Sequence, residues 1–268
     1  MKKVFALALA LVLALACFAP AMAEENDLLA RIKQRGSVIV AMEGTWSPWT
    51  YVEEIDGEEV LLGFDVDVSR AIAKKLGVEA SFELCQWDSI FGGLDAKRYD
   101  FVANGVDWTE ERAAKYAFSI PYCYTHTVLI VRSDNEDIKS FEDLKGKRTA
   151  NTLSSTYAQL TESYGATTDG VDDLDATIEL VMLGRVDATA NSEDAFYDYL
   201  RVHPDAPIKI VDRTEEANLV CIEMRKDADS ASLVEAVSKA IEELRAEGVL
   251  AELSIKNFGG DITAVPAE

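Results

Sequence analysis

The sequence predicts an α/β protein of two lobes arranged around a cleft. Three observations predict it. Short apolar runs alternate with amphipathic helical segments, the alternation occurs in two successive blocks, and two extended stretches, near 122–127 and 218–221, join the blocks. Two such units linked by two crossings can open and shut like a jaw. The expected division is a leader at 1–23, one lobe from 24–124 with 222–268, and a second lobe from 125–221.

Residues 28–36, LLARIKQRG, form a short amphipathic helix. The β-branched run 38–42 behind Gly36 reads as a strand in a sheet covered on both faces. Glu43-Gly44-Thr45-Trp46-Ser47-Pro48-Trp49 follows it directly. Polar, glycine and aromatic groups beyond the carboxyl end of a buried strand stand where open α/β sheets bind ligands. Asp56-Gly57 marks a hairpin tip. Residues 63–77 form a helix with Val66, Ala71, Ile72 and Leu76 available to one face and Gly77 as its stop. Strands at 80–84 and 100–103 flank a helix at 87–97 that buries Ile90, Phe91 and Leu94. This β-α-β-α-β order delivers Asn104 to the sheet edge that carries Trp46 and Trp49.

The second block has strands at 126–131, 147–150, 187–190 and 209–211, and helices at 139–144, 155–164, 176–184 and 192–202. A last apolar strand, 219–224, leads to a strongly amphipathic helix at 231–247. Its apolar face carries Leu233, Val237, Ile241 and Leu244, and Gly248 ends it. A short helix at 251–258 and a frayed tail from Gly260 close the chain.

Composition narrows the function. Lys2 and Lys3, an apolar run at 4–16 and small residues ending Ala21-Met22-Ala23 make a secretory signal whose apolar run is too short to span a bilayer. Export to the periplasm or cell surface is expected, with the mature chain starting at Glu24. Cys17 is the alternative, lipid-bearing start, disfavoured by Leu15 where lipoprotein signals carry a small residue. Among 268 residues, 48 are acidic and 26 basic, a net charge of −22 that loss of the two leader lysines deepens. Such a surface repels nucleic acid and anionic lipid and excludes both as partners. Cys85, Cys123 and Cys221 are too few for a disulfide framework. A Cys123–Cys221 bridge stays open, and buried free thiols are the preferred reading. No metal-ligand spacing or nucleophile motif appears, so neither cofactor nor catalysis is expected.

The stretch 104–122, NGVDWTEERAAKYAFSIPY, is the leading candidate for a site. Arg112 stands three residues after Thr109, just inside a helix start, where its planar fork can meet a carboxylate. The same spacing also describes an ordinary helix cap.

The series GFDVDVSRAIAKKLG, LDAKRYDFV, TEER, FSIPY, FEDLKGK and GRVDAT occurs in order over nearly the whole mature chain. In this it resembles the family 3 extracytoplasmic solute-binding proteins, the amino-acid receptors of ABC importers. The resemblance implies a type II periplasmic-binding-protein fold, with hinge and interlobe cleft. It implies a free amino acid as ligand and a membrane permease as partner, and we expect a monomer. By the resemblance, Arg112 grips the ligand carboxylate, and the helix start at Ser154, Ser155 and Thr156 supplies a second anion grip. Hydroxyls and free N–H groups at a helix N-terminus favour this, although simple capping is the alternative. Gly105 is where the family brings backbone close to the ligand. Trp46 and Trp87 fall at its aromatic wall, while Trp49 and Trp108 are expected in the core.

One departure stands out. Family members commonly hold the ligand ammonium with an aspartate where this chain has Ser192. A buried ammonium needs a carboxylate, so Asp107 is the first candidate and Glu193, or neighbouring Asp194, the second. Glu43 is either a contact for the ligand side chain or a solvated loop charge. The pattern of 104–112 with 152–160 is similar to the cystine and polar amino-acid branch; Glu43 and Asp107 make basic amino acids the alternative. Two other functions compete. A dehydratase-like enzyme on this fold would want paired acid–base groups, yet His126 and His203 lie far apart in sequence. An amino-acid sensor domain is the other.

Overall fold

The computed structural model describes residues 27–266. The proposed leader at 1–23 and Cys17 lie outside them. Two five-stranded sheets organise the described chain. The first runs, in spatial order, Glu79–Leu84, Ser37–Met42, Phe101–Val102, Glu223–Arg225 and Tyr116–Phe118. Its first three strands are parallel, and Glu223–Arg225 pairs antiparallel with both neighbours. The second runs Thr167–Gly170, Arg148–Asn151, Ala188–Ser192, Thr127–Arg132 and Ile208–Arg213, again three parallel strands followed by an antiparallel insertion. In each sheet the inserted strand is the one reached from a crossing between the lobes. The crossings, Cys123–Thr125 and Asn218–Val220, pair antiparallel as a two-stranded hinge. The chain is thus a two-lobed α/β protein of type II.

Burial follows from sequence. Val38, Val40, Ala41 and Met42 are wholly inaccessible because helices cover the first sheet on both faces. Helix Phe64–Leu76 packs on Ala231–Ala246, whose Leu233, Val237 and Ile241 are fully buried. Each such side chain contributes about 1.5–3 kcal/mol relative to an exposed one. The hairpin Thr50–Ile55 and Glu58–Leu62 turns at Asp56-Gly57, both at positive φ, as a two-residue turn requires.

Three expectations change, and one strand was not foreseen. The apolar segment 219–224 is not one strand. Asn218–Val220 belongs to the hinge, and the chain switches partners at Cys221 and Ile222, whose N–H groups donate to Val106 O and Ser119 Oγ, before Glu223–Arg225 joins the first sheet. Strand Thr167–Gly170 carries no apolar residue, so periodicity could not reveal it. The segment at 139–144 is a single 3-10 turn, Phe141–Leu144, with a Ser140–Asp143 capping box. Trp108 is not core: it is 41% exposed. Asp107 sits in an extended bridge to Val220, so its neighbour Trp108 points away from it toward the outer surface. Trp49 does lie in the core, stacked on Trp46 at 5.3 Å. Cys85, Cys123 and Cys221 are free thiols.

Candidate functional site

A cleft lies between the lobes. Its first wall is made by the loops that leave strands Ser37–Met42 and Phe101–Val102, a placement dictated by the parallel order of that sheet. Thr109 caps the short helix Glu110–Lys115 by accepting from Arg112 N–H at 3.1 Å, which places Arg112 within its first turn. The guanidinium lies over the rings of Trp87 and Phe91, 5.2 and 5.3 Å from their centroids. Phe91, expected to be buried, is only partly so. Arg112 donates to two carbonyls, Asp107 O at 3.0 Å and Ser154 O at 3.4 Å, and among the described residues it has no carboxylate contact. A half-buried guanidinium stacked on aromatic faces, with no carboxylate within hydrogen-bond reach, can receive an anion.

Asp107 is buried beside it. Its Oδ2 accepts from Thr156 Oγ1 across the lobes at 2.6 Å, while Oδ1 is buried with no donor. Burial raises its pKa to about 6, against the opposing pull of the Thr156 hydrogen bond and Arg112. The site therefore presents an open acceptor next to an open cation, the complement of an amino acid's two charged ends.

Glu43 is no solvated loop charge. Its N–H donates to Asn104 Oδ1, and Asn104 Nδ2 donates back to Glu43 Oε2, both at 2.7 Å. Burial, reinforced by Asp173 and Asp88 and opposed by the Asn104 bond, lifts its pKa to about 7. Gly105 lines the cleft at φ 55, but its N–H is committed to Asp65 Oδ2 at 2.6 Å. A Cβ there would stand 2.5 Å from the Trp46 ring. The glycine thus makes room for the Trp46–Trp49 stack rather than offering its N–H to a ligand. Trp46 and Trp87 both line the cleft; Trp46 Nε1 donates to Asn191 Oδ1 across the lobes at 3.3 Å, and Trp87 Nε1 has no partner.

On the second lobe, Ser155 lines the cleft and caps helix Thr156–Ser163. Its Oγ accepts from Ala158 N–H at 3.1 Å and donates to Thr152 O at 2.7 Å, so the hydroxyl is already occupied. Ser192 and Glu193 are not brought to the cleft. Ser192 ends its strand and caps helix Glu193–Val202 through Ala195 N–H, and Glu193 pairs with Arg213 at 2.8 Å. The strand's alternation decides this, since Asn191, one residue earlier, faces the cleft. Asp194 accepts from Thr125 of the hinge at 2.6 Å.

Sequence reasoning passed over Asn151, Asn191 and Asp173 and gave the Asn104 side chain no role, although all four residues line the cleft. A signal for the amides existed. Asn151 and Asn191 stand at or next to the carboxyl ends of strands in the second lobe, and Asn104 lies just beyond its strand in the first, at the position where such sheets bind ligands.

The lobes are closed on one another. Besides the Thr156–Asp107 and Trp46–Asn191 bonds, Ser47 Oγ donates to Asp198 at 2.8 Å and Ser154 Oγ to Asp88 at 2.6 Å. Comparison with known proteins agrees. The chain is similar to an ancestral arginine-binding protein, solved bound to arginine and bound to glutamine, at TM-score 0.77 and 34% identity, covering 84% of this chain and 99% of that one. It is similar also to the L-cystine solute receptor of Neisseria gonorrhoeae in its unliganded open conformation, at 40% identity, with 89% and 100% covered. The TM-score to that open receptor is 0.59. In sequence it is 39% identical to the L-cystine-binding protein TcyA of Bacillus subtilis (strain 168) over 241 residues, 90% of this chain and 88% of that one. The sequence pattern of the bacterial extracellular solute-binding proteins, family 3, matches residues 38–260, and the chain belongs to that family.

Proposed function

We propose that the protein is an extracytoplasmic receptor that captures a free amino acid, cystine or another polar amino acid, and presents it to the membrane permease of an ABC importer. The observation that carries this reading is the pairing, in one cleft, of Arg112 without a carboxylate contact and Asp107 with an unused oxygen. The ligand's carboxylate meets the Arg112 fork, its ammonium meets Asp107 Oδ1, and its side chain lies along Trp46 and Trp87. Thr156, already bonded to Asp107, and the helix start behind Ser155 close from the other lobe.

The moving bodies are 24–124 with 222–268, and 125–221, turning about the paired crossings. A ligand that touches both lobes only when they are shut raises the closed population by its differential affinity for that state. The protein binds and releases its ligand without chemistry, as a monomer outside the cytoplasm, its leader removed after Ala23. The names of the cystine-binding relatives support the ligand class.

The test is isothermal calorimetry of the mature protein against the amino acids and cystine. Arg112→Ala should weaken the best ligand by at least about 100-fold, the loss expected when one partner of a buried charge pair is removed. Wild-type affinity in that variant would remove the site.

A further inference from the structure

We infer that Asp65, which lies behind the cleft rather than in it, positions the ligand-binding loop 104–107, its one buried carboxylate tying that loop to the aromatic wall and to the first hinge crossing. The inference rests on the amino-acid reading above and deepens it.

Asp65 is wholly buried in the first turn of helix Phe64–Leu76, where it meets three separate segments of the first lobe. Its own N–H donates to Trp49 O at 3.0 Å, beside Phe64 N–H to Pro48 O at 3.0 Å, and this fastens the helix start to the loop that carries Trp46. The approach is so close that only glycine fits before the helix: a Cβ on Gly63, at φ 126, would stand 2.3 Å from Trp49 O. The carboxylate then divides its oxygens. Oδ2 accepts from Gly105 N–H at 2.6 Å, and Oδ1 accepts from the Tyr122 hydroxyl at 2.5 Å. Tyr122 is itself fully buried and is the last residue before the crossing Cys123–Thr125.

Among the described residues no lysine or arginine pairs with Asp65. A buried carboxylate in that setting costs stability, so what it supplies is geometry: two acceptors on one rigid group, one aimed at the loop and one at the hinge. Gly105 sits between the loop residues that act on the cleft. Asn104 holds Glu43 through its side chain, and Asp107 keeps its Oδ1 free for the ligand's ammonium. At φ 55 Gly105 has a conformation that a glycine leaves at no steric cost, so without the Asp65 bond the loop spreads over several states. Only the fraction with Asp107 correctly turned can bind, and the apparent affinity falls by that fraction.

Stopped-flow fluorescence tests this, because Trp46 and Trp87 line the cleft and report ligand entry. The probe is the L-amino acid, or L-cystine, that binds wild type most tightly in the calorimetric panel. Asp65→Ala removes both acceptors and should slow association about tenfold at a temperature where its circular dichroism is native, with dissociation within about threefold of wild type. Loss of an ordinary ligand contact shows instead in dissociation. Asp65→Asn should restore association to within about threefold, since its amide oxygen accepts from Gly105 and its NH2 donates to a rotated Tyr122 hydroxyl. Tyr122→Phe keeps the Gly105 bond but frees the carboxylate to turn, and should slow association about fivefold. Wild-type association in Asp65→Ala, or in Tyr122→Phe where the alanine variant does not fold, would make Asp65 a purely stabilising group and overturn the inference while leaving an amino-acid receptor. A loss confined to dissociation, or an asparagine variant as slow as the alanine one, would overturn it as well. No binding by wild type across the panel would overturn both.

Discussion

Asp107 holds its two carboxylate oxygens in different states. Its Oδ2 latches the lobes through Thr156 and its Oδ1 waits unpaired. Burial lifts it to about 6, and a ligand ammonium favours its ionised form, so binding expels its proton at lower pH. Affinity is therefore expected to hold level above about pH 6 and to fall as pH drops below it, measurable by calorimetric titration across that range. Asp107→Asn should cost about 2 kcal/mol of binding, about 30-fold, toward an amino acid, and much less toward its deaminated analogue. Equal losses for the two ligands would remove Asp107 as the ammonium partner. Asp107 and Arg112 were legible in sequence because the T-x-E-R spacing fixes the helix start and the departure at Ser192 demanded another carboxylate. Asp173 was not, since an N-capping aspartate in sequence is indistinguishable from any other.

At the scale of elements, helix Thr156–Ser163 is positioned by its cap. Ser155 Oγ accepts one N–H and donates to Thr152 O, and that double engagement sets the helix start against the cleft. Ser155→Ala is predicted to destabilise the protein by about 1 kcal/mol in urea unfolding, and an unchanged midpoint would show the cap to be idle. Helices with a clear apolar face, such as Ala231–Ala246, were readable from their 3.6-residue period. Edge strand Thr167–Gly170 was not, because pairing with Arg148–Asn151 rather than its own composition makes it a strand. Nor was the division of 219–224, since uninterrupted apolar character says nothing about which neighbour supplies the hydrogen bonds.

The whole molecule buries carboxylates in spite of its net charge of −22. Burial raises Glu43 and Asp65 to about 7, Asp107 to about 6 and Glu223 to about 8. Each value is raised on folding, so the folded chain holds more protons than the unfolded one between its ordinary value and its raised one. This stability is fully present below the ordinary carboxylate range, and it is lost as pH rises through about 4 to 8. The ligand-free protein should melt at a higher temperature near pH 5 than near pH 8, as calorimetric scans would read. Glu223, wholly buried with both oxygens unpartnered, accounts for the upper part of that window. Glu223→Gln should be more stable than wild type at about pH 8 and level with it at about pH 4; a deficit at both would assign Glu223 a packing role instead. The sequence by itself determined the two-block alternation, the crossings between the blocks, the family and the place of Arg112 in a first helical turn, because these rest on local period and motif order along the chain. Only the tertiary structure decided that Asn191 rather than Ser192 or Glu193 faces the cleft, that Gly105 makes room for Trp46, and that Glu43 is held by Asn104 in the closed cleft. Those facts depend on which way a side chain turns from its strand and on which distant loops the hinge brings together, and neither is written in the spacing of residues.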